Sequence, residues 1–212
     1  MGEVSEGVPA ERKPAPRALL ISLALLAAAG AASLGGNILI VAEFPDRPAP
    51  RDLLFELLPY VGPLRYMTAI ALIAGFALFV RYAFRREPAR IPEFIAMFGI
   101  MYLLRAACMV LTPLASAHGE GAFVSSVVQC GMFPSGHIGA ATLLTRLTAR
   151  DLAPAERRIQ AVLALVLGVS MILARGHYSI DIVGGVLLSY FTEQEWTHGR
   201  LFNPLKRAMG VR

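Results

Sequence analysis

Four histidines occur in this 212-residue chain, and two of them stand in segments whose other residues suit them to chemistry. The first segment is Arg175-Gly176-His177-Tyr178-Ser179-Ile180-Asp181. His177 and Asp181 are four apart, so a helix running through them puts both on one face. A carboxylate bonded to one imidazole nitrogen fixes the tautomer and raises the basicity of the other. That is how a histidine becomes a nucleophile. The second segment is Cys130-Gly131-Met132-Phe133-Pro134-Ser135-Gly136-His137. It ends a loop and opens a helix, and a helix start offers unpaired N–H groups and a partial positive charge. Ser135 and Gly136 let the backbone come close to a ligand there, and phosphate is the natural guest. His137, in the first turn, is placed to give a proton to a leaving oxygen. Structural readings stand beside these: an ion pair capping a helix for His177 and Asp181, and an incidental loop histidine for His137. On residue types alone, His137, His177 and Asp181 also make a three-ligand metal set, but the adjoining loop adds no acid beyond Glu120. We therefore expect no metal and no cofactor. Ser135 and Ser179 lie outside the Gly-x-Ser-x-Gly context of a serine nucleophile. His118 reads as a solvated loop residue, and His198 as too far from the others to join them.

Arg105 is the third feature. It lies in an apolar run, about eight residues or about 12 Å from its end. A charge that deep in a bilayer costs at least about 2.5–3.5 kcal/mol and calls for an anionic partner or water. Tyr102, Arg105, Met109 and Thr112 fall at helical offsets and share one face.

The elements that must hold these residues follow from composition. Hydrophobic residues make up 56% of the chain and charged residues 17%, against roughly 25% charged in soluble domains. Disorder requires low hydrophobicity and is excluded. The reading is an all-α, polytopic membrane protein, with about 20 residues per span. Residues 1–16 are a polar, proline-bearing cytoplasmic tail, expected to be disordered. Residues 17–198 form a membrane domain of six transmembrane helices, and residues 199–212 a second cytoplasmic tail. The spans are placed at 17–41, 61–84, 91–112, 135–150, 158–174 and 179–195, with a short interfacial helix at 52–58. The first run could mimic a signal peptide, but its length favours a retained span. Spans one and two are read as packing and lipid contact.

Fifteen of the twenty basic residues fall on the side holding both termini, three on the other, and two belong to spans or their ends. Over short loops this places both termini in the cytoplasm and the two histidine segments at the opposite face. The net charge of +5 is then a membrane signature. No basic stripe with interleaved aromatics suggests nucleic acid. Two cysteines, Cys108 and Cys130, make no disulfide framework and are read as free thiols.

Pro134-Ser135-Gly136-His137 resembles the second signature of the type 2 phosphatidic acid phosphatase superfamily, and His177 with Asp181 resembles its third. The closer likeness is to the sphingomyelin synthase branch, which carries a Cys-Gly lead into Ser-Gly-His and a His-Tyr-Ser/Thr-Ile-Asp segment. Tyr102, Arg105, Met109, Thr112 and Pro113 are similar to that branch's third-span pattern. Pro48, Pro50, Asp52, Phe55 and Glu56 loosely match its proline-rich stretch. The likeness covers about residues 45–195. Departures are a spacing from Cys130 to His137 one residue short, no acid after Cys-Gly, and no phosphatase first signature. Arg175 also precedes His177 by two, where the phosphatase arginine usually precedes by six. The acceptor, water or a lipid alcohol, stays open. The resemblance implies transfer of a phospho-headgroup from a glycerophospholipid to ceramide or another lipid alcohol. His177, Asp181 and His137 would be catalytic, and Tyr102, Arg105, Ser135, Gly136 and Arg175 would bind substrate. The alternatives are lipid phosphate hydrolysis, or a lipid carrier or scaffold without chemistry. Nothing in the sequence sets an oligomeric state.

Overall fold

The computed structural model describes residues 15–117, 131–148 and 154–211, and among these the secondary structure is helical throughout. The helices are α1 (Pro16–Glu43), α2 (Leu53–Leu57), α3 (Leu64–Arg86), α4 (Ile91–Leu111), α5 (Gly136–Thr148), α6 (Pro154–Leu173), α7 (Ser179–Thr197) and α8 (Asn203–Met209). Most of the 1–16 tail, together with His118, Glu120 and Cys130, lies outside the described residues. Cys108 is a free thiol.

Every segment read as a span carries a helix. Three of these combine the length and apolarity needed to cross a membrane: α1, α3, and α4 with the 3₁₀ turn Pro88–Arg90 before it, with mean hydropathies of 2.1, 1.8 and 2.1. The described part of α5 is 13 residues, about 20 Å at 1.5 Å per residue. α6 and α7 have adequate length but carry charges, Glu156 to Arg158 in one and Asp181, Glu193 and Glu195 in the other. Large apolar side chains project outward from the long helices, among them Leu20 and Ile38 on α1, Ile73 on α3 and Leu165 on α6. Such an outer surface belongs in contact with lipid.

The helices pack chiefly in pairs, α1 on α4, α3 on α6 and α5 on α7. The α5–α7 crossing is close because both sides are small. A Cβ on Gly185 would meet the Ser135 carbonyl at 2.6 Å, and the Ser189 hydroxyl donates across to the Gly139 carbonyl at 2.6 Å. Small residues and a hydroxyl at the contact are how helices approach without a hydrophobic drive between them. The main core, with Phe79, Tyr82, Phe94, Met97, Leu143, Leu144 and Trp196, fills the bundle toward the end opposite the two histidine segments. Part of the 199–212 tail is folded. α8 lies against α1, Met209 is buried, and the Lys206 ammonium donates to the Trp196 carbonyl at 2.8 Å.

Candidate active site

α6 ends in a Schellman arrangement, with Arg175 N–H donating to the Ile172 carbonyl and Gly176 N–H to the Met171 carbonyl. This puts Arg175 in the left-handed region at φ 49°, a position usually held by glycine and costing an L-residue about 1–2 kcal/mol. The reversal delivers His177 directly before α7. Asp181, in the first turn of α7, is fully buried, and His177 is 8% exposed. One carboxylate oxygen, Oδ2, accepts from Tyr178 N–H at 3.0 Å and lies 3.1 Å from His177 Nδ1. With a carboxylate acceptor, Nδ1 carries the proton and Nε2 keeps its lone pair. The other oxygen, Oδ1, is buried with no hydrogen-bond partner among the described residues. Burial, then the Asp181 and Asp52 carboxylates, push the Tyr178 phenol above its usual range, so it stays protonated at neutral pH.

α5 is stitched to the same turn, since Ser135 N–H donates to the Asp181 carbonyl at 3.0 Å. That contact sets His137, the second residue of α5, beside His177, with ring centroids 5.9 Å apart and planes 64° apart. His137 is exposed and has no hydrogen-bond partner among the described residues. A single tetrahedral group seated between the rings can touch both.

Arg105 reaches this region from α4. Its Nε donates to the Pro134 carbonyl at 3.0 Å and its Nη2 to the Gly131 carbonyl at 2.7 Å. The guanidinium therefore fastens the loop before α5 while bringing a positive charge to the site. Tyr102 donates to the Gly136 carbonyl at 3.3 Å. A Cβ on Gly136 would stand 3.0 Å from Arg105 Nε and 3.1 Å from the Tyr102 ring, so glycine makes room for both. A cavity of about 250 Å³ is bounded by Tyr102, Arg105, Gly136, His137, His177 and Asn37, among others, and no carboxylate among the described residues lines it.

Five of the eight residues expected to act thus line one cavity: Tyr102, Arg105, Gly136, His137 and His177. Asp181 stands behind His177. Ser135 departs from the expected phosphate-facing position. It is 1% exposed, and its hydroxyl, 3.5 Å from Ile138 N–H, faces the first turn of α5. Arg175 also departs. Its guanidinium donates to the Phe55 carbonyl at 3.0 Å and lies over the Phe55 and Tyr60 rings, outside the cavity lining. The left-handed turn sends it there.

Asp52 completes this latch. Its Oδ1 accepts from Leu54 N–H at 2.9 Å, capping α2, and its Oδ2 accepts from Ser179 N–H, capping α7. α2 is therefore held to the His177 turn by an acid at one point and a cation at another. Its Leu53 and Leu57 stay exposed, as an interfacial helix requires. Asn37 was missed from the sequence, because α1 reads as uniform apolar packing. The signal that could have found it is its amide, set in an otherwise apolar run. Among the described residues, no three His, Cys, Asp or Glu side chains come together to hold a metal ion. No family model matches this chain, and no curated protein does.

Proposed function

We propose that this chain is a six-span membrane enzyme that moves a phospho-headgroup from a glycerophospholipid to ceramide or another lipid alcohol. The observation that carries this reading is the His177–Asp181 pair set against His137 at the edge of a cavity lined by Arg105. It agrees with the likeness of these segments to the sphingomyelin synthase branch of the type 2 phosphatidic acid phosphatase superfamily. A carrier or scaffold has no use for such a pairing.

In the first step the His177 Nε2 lone pair attacks phosphorus. An N–P bond forms, the P–O bond to the glycerolipid breaks, and protonated His137 gives its proton to the departing alkoxide. In the second step neutral His137 takes the proton of the acceptor hydroxyl, whose oxygen attacks phosphorus and releases His177. Asp181 holds the His177 tautomer and balances the charge that forms on the ring. Arg105 and the start of α5 stabilise charge on the phosphoryl oxygens. The basic-residue asymmetry supports cytoplasmic termini, with this cavity at the other leaflet. Phospholipid and lipid alcohol are then the partners.

Hydrolysis of a lipid phosphate is the second reading, favoured by the exposure of His137, which lets water approach as acceptor. Thin-layer analysis of a phospholipid labelled at phosphorus, with and without ceramide, separates the outcomes. Transfer yields a labelled lipid product that depends on ceramide. Hydrolysis yields label in a water-soluble or phosphate product whether or not ceramide is present. An intact substrate in both arms contradicts an enzyme reading.

A further inference from the structure

We infer that Asn37 is a substrate-binding residue of this site, its carboxamide nitrogen donating a hydrogen bond to an oxygen of the bound phosphate; this rests on the phosphoester reading above. Asn37 lies three-quarters of the way along α1, a helix that packs chiefly on α4. It is the α1 residue that bounds the cavity shared by His137, His177 and Arg105.

Its orientation is settled by its one partner. Gly131 N–H lies 2.8 Å from the side-chain oxygen. A backbone N–H only donates, so Oδ1 faces Gly131 and the NH₂ group faces the other way. The two N–H bonds of Nδ2 have no partner among the described residues, and the atom is not among those sealed from solvent. Gly131 itself has no room for a side chain, since a Cβ there would meet Met109 Sδ at 1.6 Å. The loop is therefore seated firmly against α1 and α4, and the amide is held in place.

The surrounding chemistry names the guest. Arg105 spends Nε and Nη2 on loop carbonyls, and Tyr102 spends its hydroxyl on Gly136. His177 presents a lone pair. Among the described residues, Asn37 is thus an uncommitted neutral donor in a cavity lined by a guanidinium and two imidazoles and by no carboxylate. That set suits an anionic phosphate oxygen and not a cationic headgroup.

Asn37→Asp isolates the donor. It keeps a side-chain oxygen for Gly131 N–H at nearly the same volume and puts an acceptor where the NH₂ group was. The expected result is a fall in kcat/KM of about ten- to hundred-fold, the worth of a hydrogen bond to a charged group. Thermal unfolding of the detergent-purified protein should stay close to wild type. Orthovanadate, a phosphate mimic, should raise the unfolding temperature of wild type and not of Asn37→Asp. Asn37→Ser, which draws the donor back from the cavity, should lose the same two properties, and it decides the matter where Asn37→Asp does not fold. Wild-type turnover and a wild-type vanadate shift in a folded variant overturn the role of Asn37 and leave the enzyme reading intact. A wild-type protein that neither turns over phospholipid nor responds to vanadate overturns both.

Discussion

Three helices, α4, α5 and α7, each carry polar residues near both ends, and the two ends of the bundle use them differently. At the end away from the histidines, Arg146 Nε donates to Glu193 Oε2 at 3.0 Å, and Nη2 donates to the same oxygen. Gln194 and Thr197 also donate to that carboxylate, Arg146 lies over the Tyr190 ring, and Trp196 Nε1 donates to Glu93 at 3.3 Å. Glu193 is 4% exposed and its charge is met by protein. At the histidine end, His177 Nε2, His137, the Asn37 NH₂ group and Asp181 Oδ1 have no protein partner among the described residues. Polar groups inside a bilayer cost several kcal/mol unless paired. The Glu193 cluster is accounted for by its own pairing and reads as structural. The His177 cluster is left open, which agrees with the proposed phosphate site.

Substitutions should separate the two ends by what they disturb. The largest effect is expected for His177→Ala, which removes the atom proposed to attack phosphorus. Turnover should fall below detection while the unfolding temperature stays within a few degrees of wild type. His137→Ala removes the proposed general acid, a role worth about 10²–10⁴-fold, so kcat should drop by that factor, again in a folded protein. Glu193→Ala should reverse the pattern. It leaves the partly buried Arg146 without its counter-ion at a cost of about 3 kcal/mol, seen as a lower denaturation midpoint. Turnover per folded molecule should not change. A drop in turnover there, at unchanged stability, would erase the distinction between the ends. Asp52→Ala removes the shared cap of α2 and α7, for which about 1 kcal/mol is usual. Because that cap seats the His177 turn, kcat should fall several-fold with little change in KM, and Asp52→Asn, which keeps a side-chain acceptor, should recover part of it. The smallest effect is expected from excess EDTA, since in the proposed mechanism histidine, aspartate and arginine supply nucleophile, orienter and charge balance. Loss of activity restored by zinc or magnesium would contradict that scheme.

The long apolar runs made the helices legible, and the four-residue spacing made His177 and Asp181 legible as a pair. Arg105 and Tyr102 could be placed because helical offsets put them on one face of α4. What the sequence hid was set by tertiary contact. The family resemblance implies a phosphate-binding role for Arg175, although its two-residue spacing from His177 departs from the pattern. The left-handed turn that sends it to Phe55 depends on how α6 ends, in a position where glycine is the usual marker. Asp52 acts across 127 residues, a contact no local pattern encodes. α8 has seven residues, too few to be stable alone. It is held by the Trp196–Phe202 ring contact and by Lys206. Of the six expected spans, α1, α3 and α4 have the length and apolarity to cross a membrane, while α5, α6 and α7 are helices at the other three positions and carry more polar residues.

The central claim is that the open cluster divides its labour, His177 as nucleophile and His137 as proton donor. The most direct measurement is burst release of nitrophenol from a nitrophenyl phosphoester by purified wild type, His137→Ala and His177→Ala. This leaving group needs little protonation. A burst of about one equivalent is expected from wild type and His137→Ala, each with phosphate left on the protein, and none from His177→Ala. A burst from folded His177→Ala and not from His137→Ala would exchange the two roles. Wild-type turnover without a burst from any protein would contradict the covalent scheme.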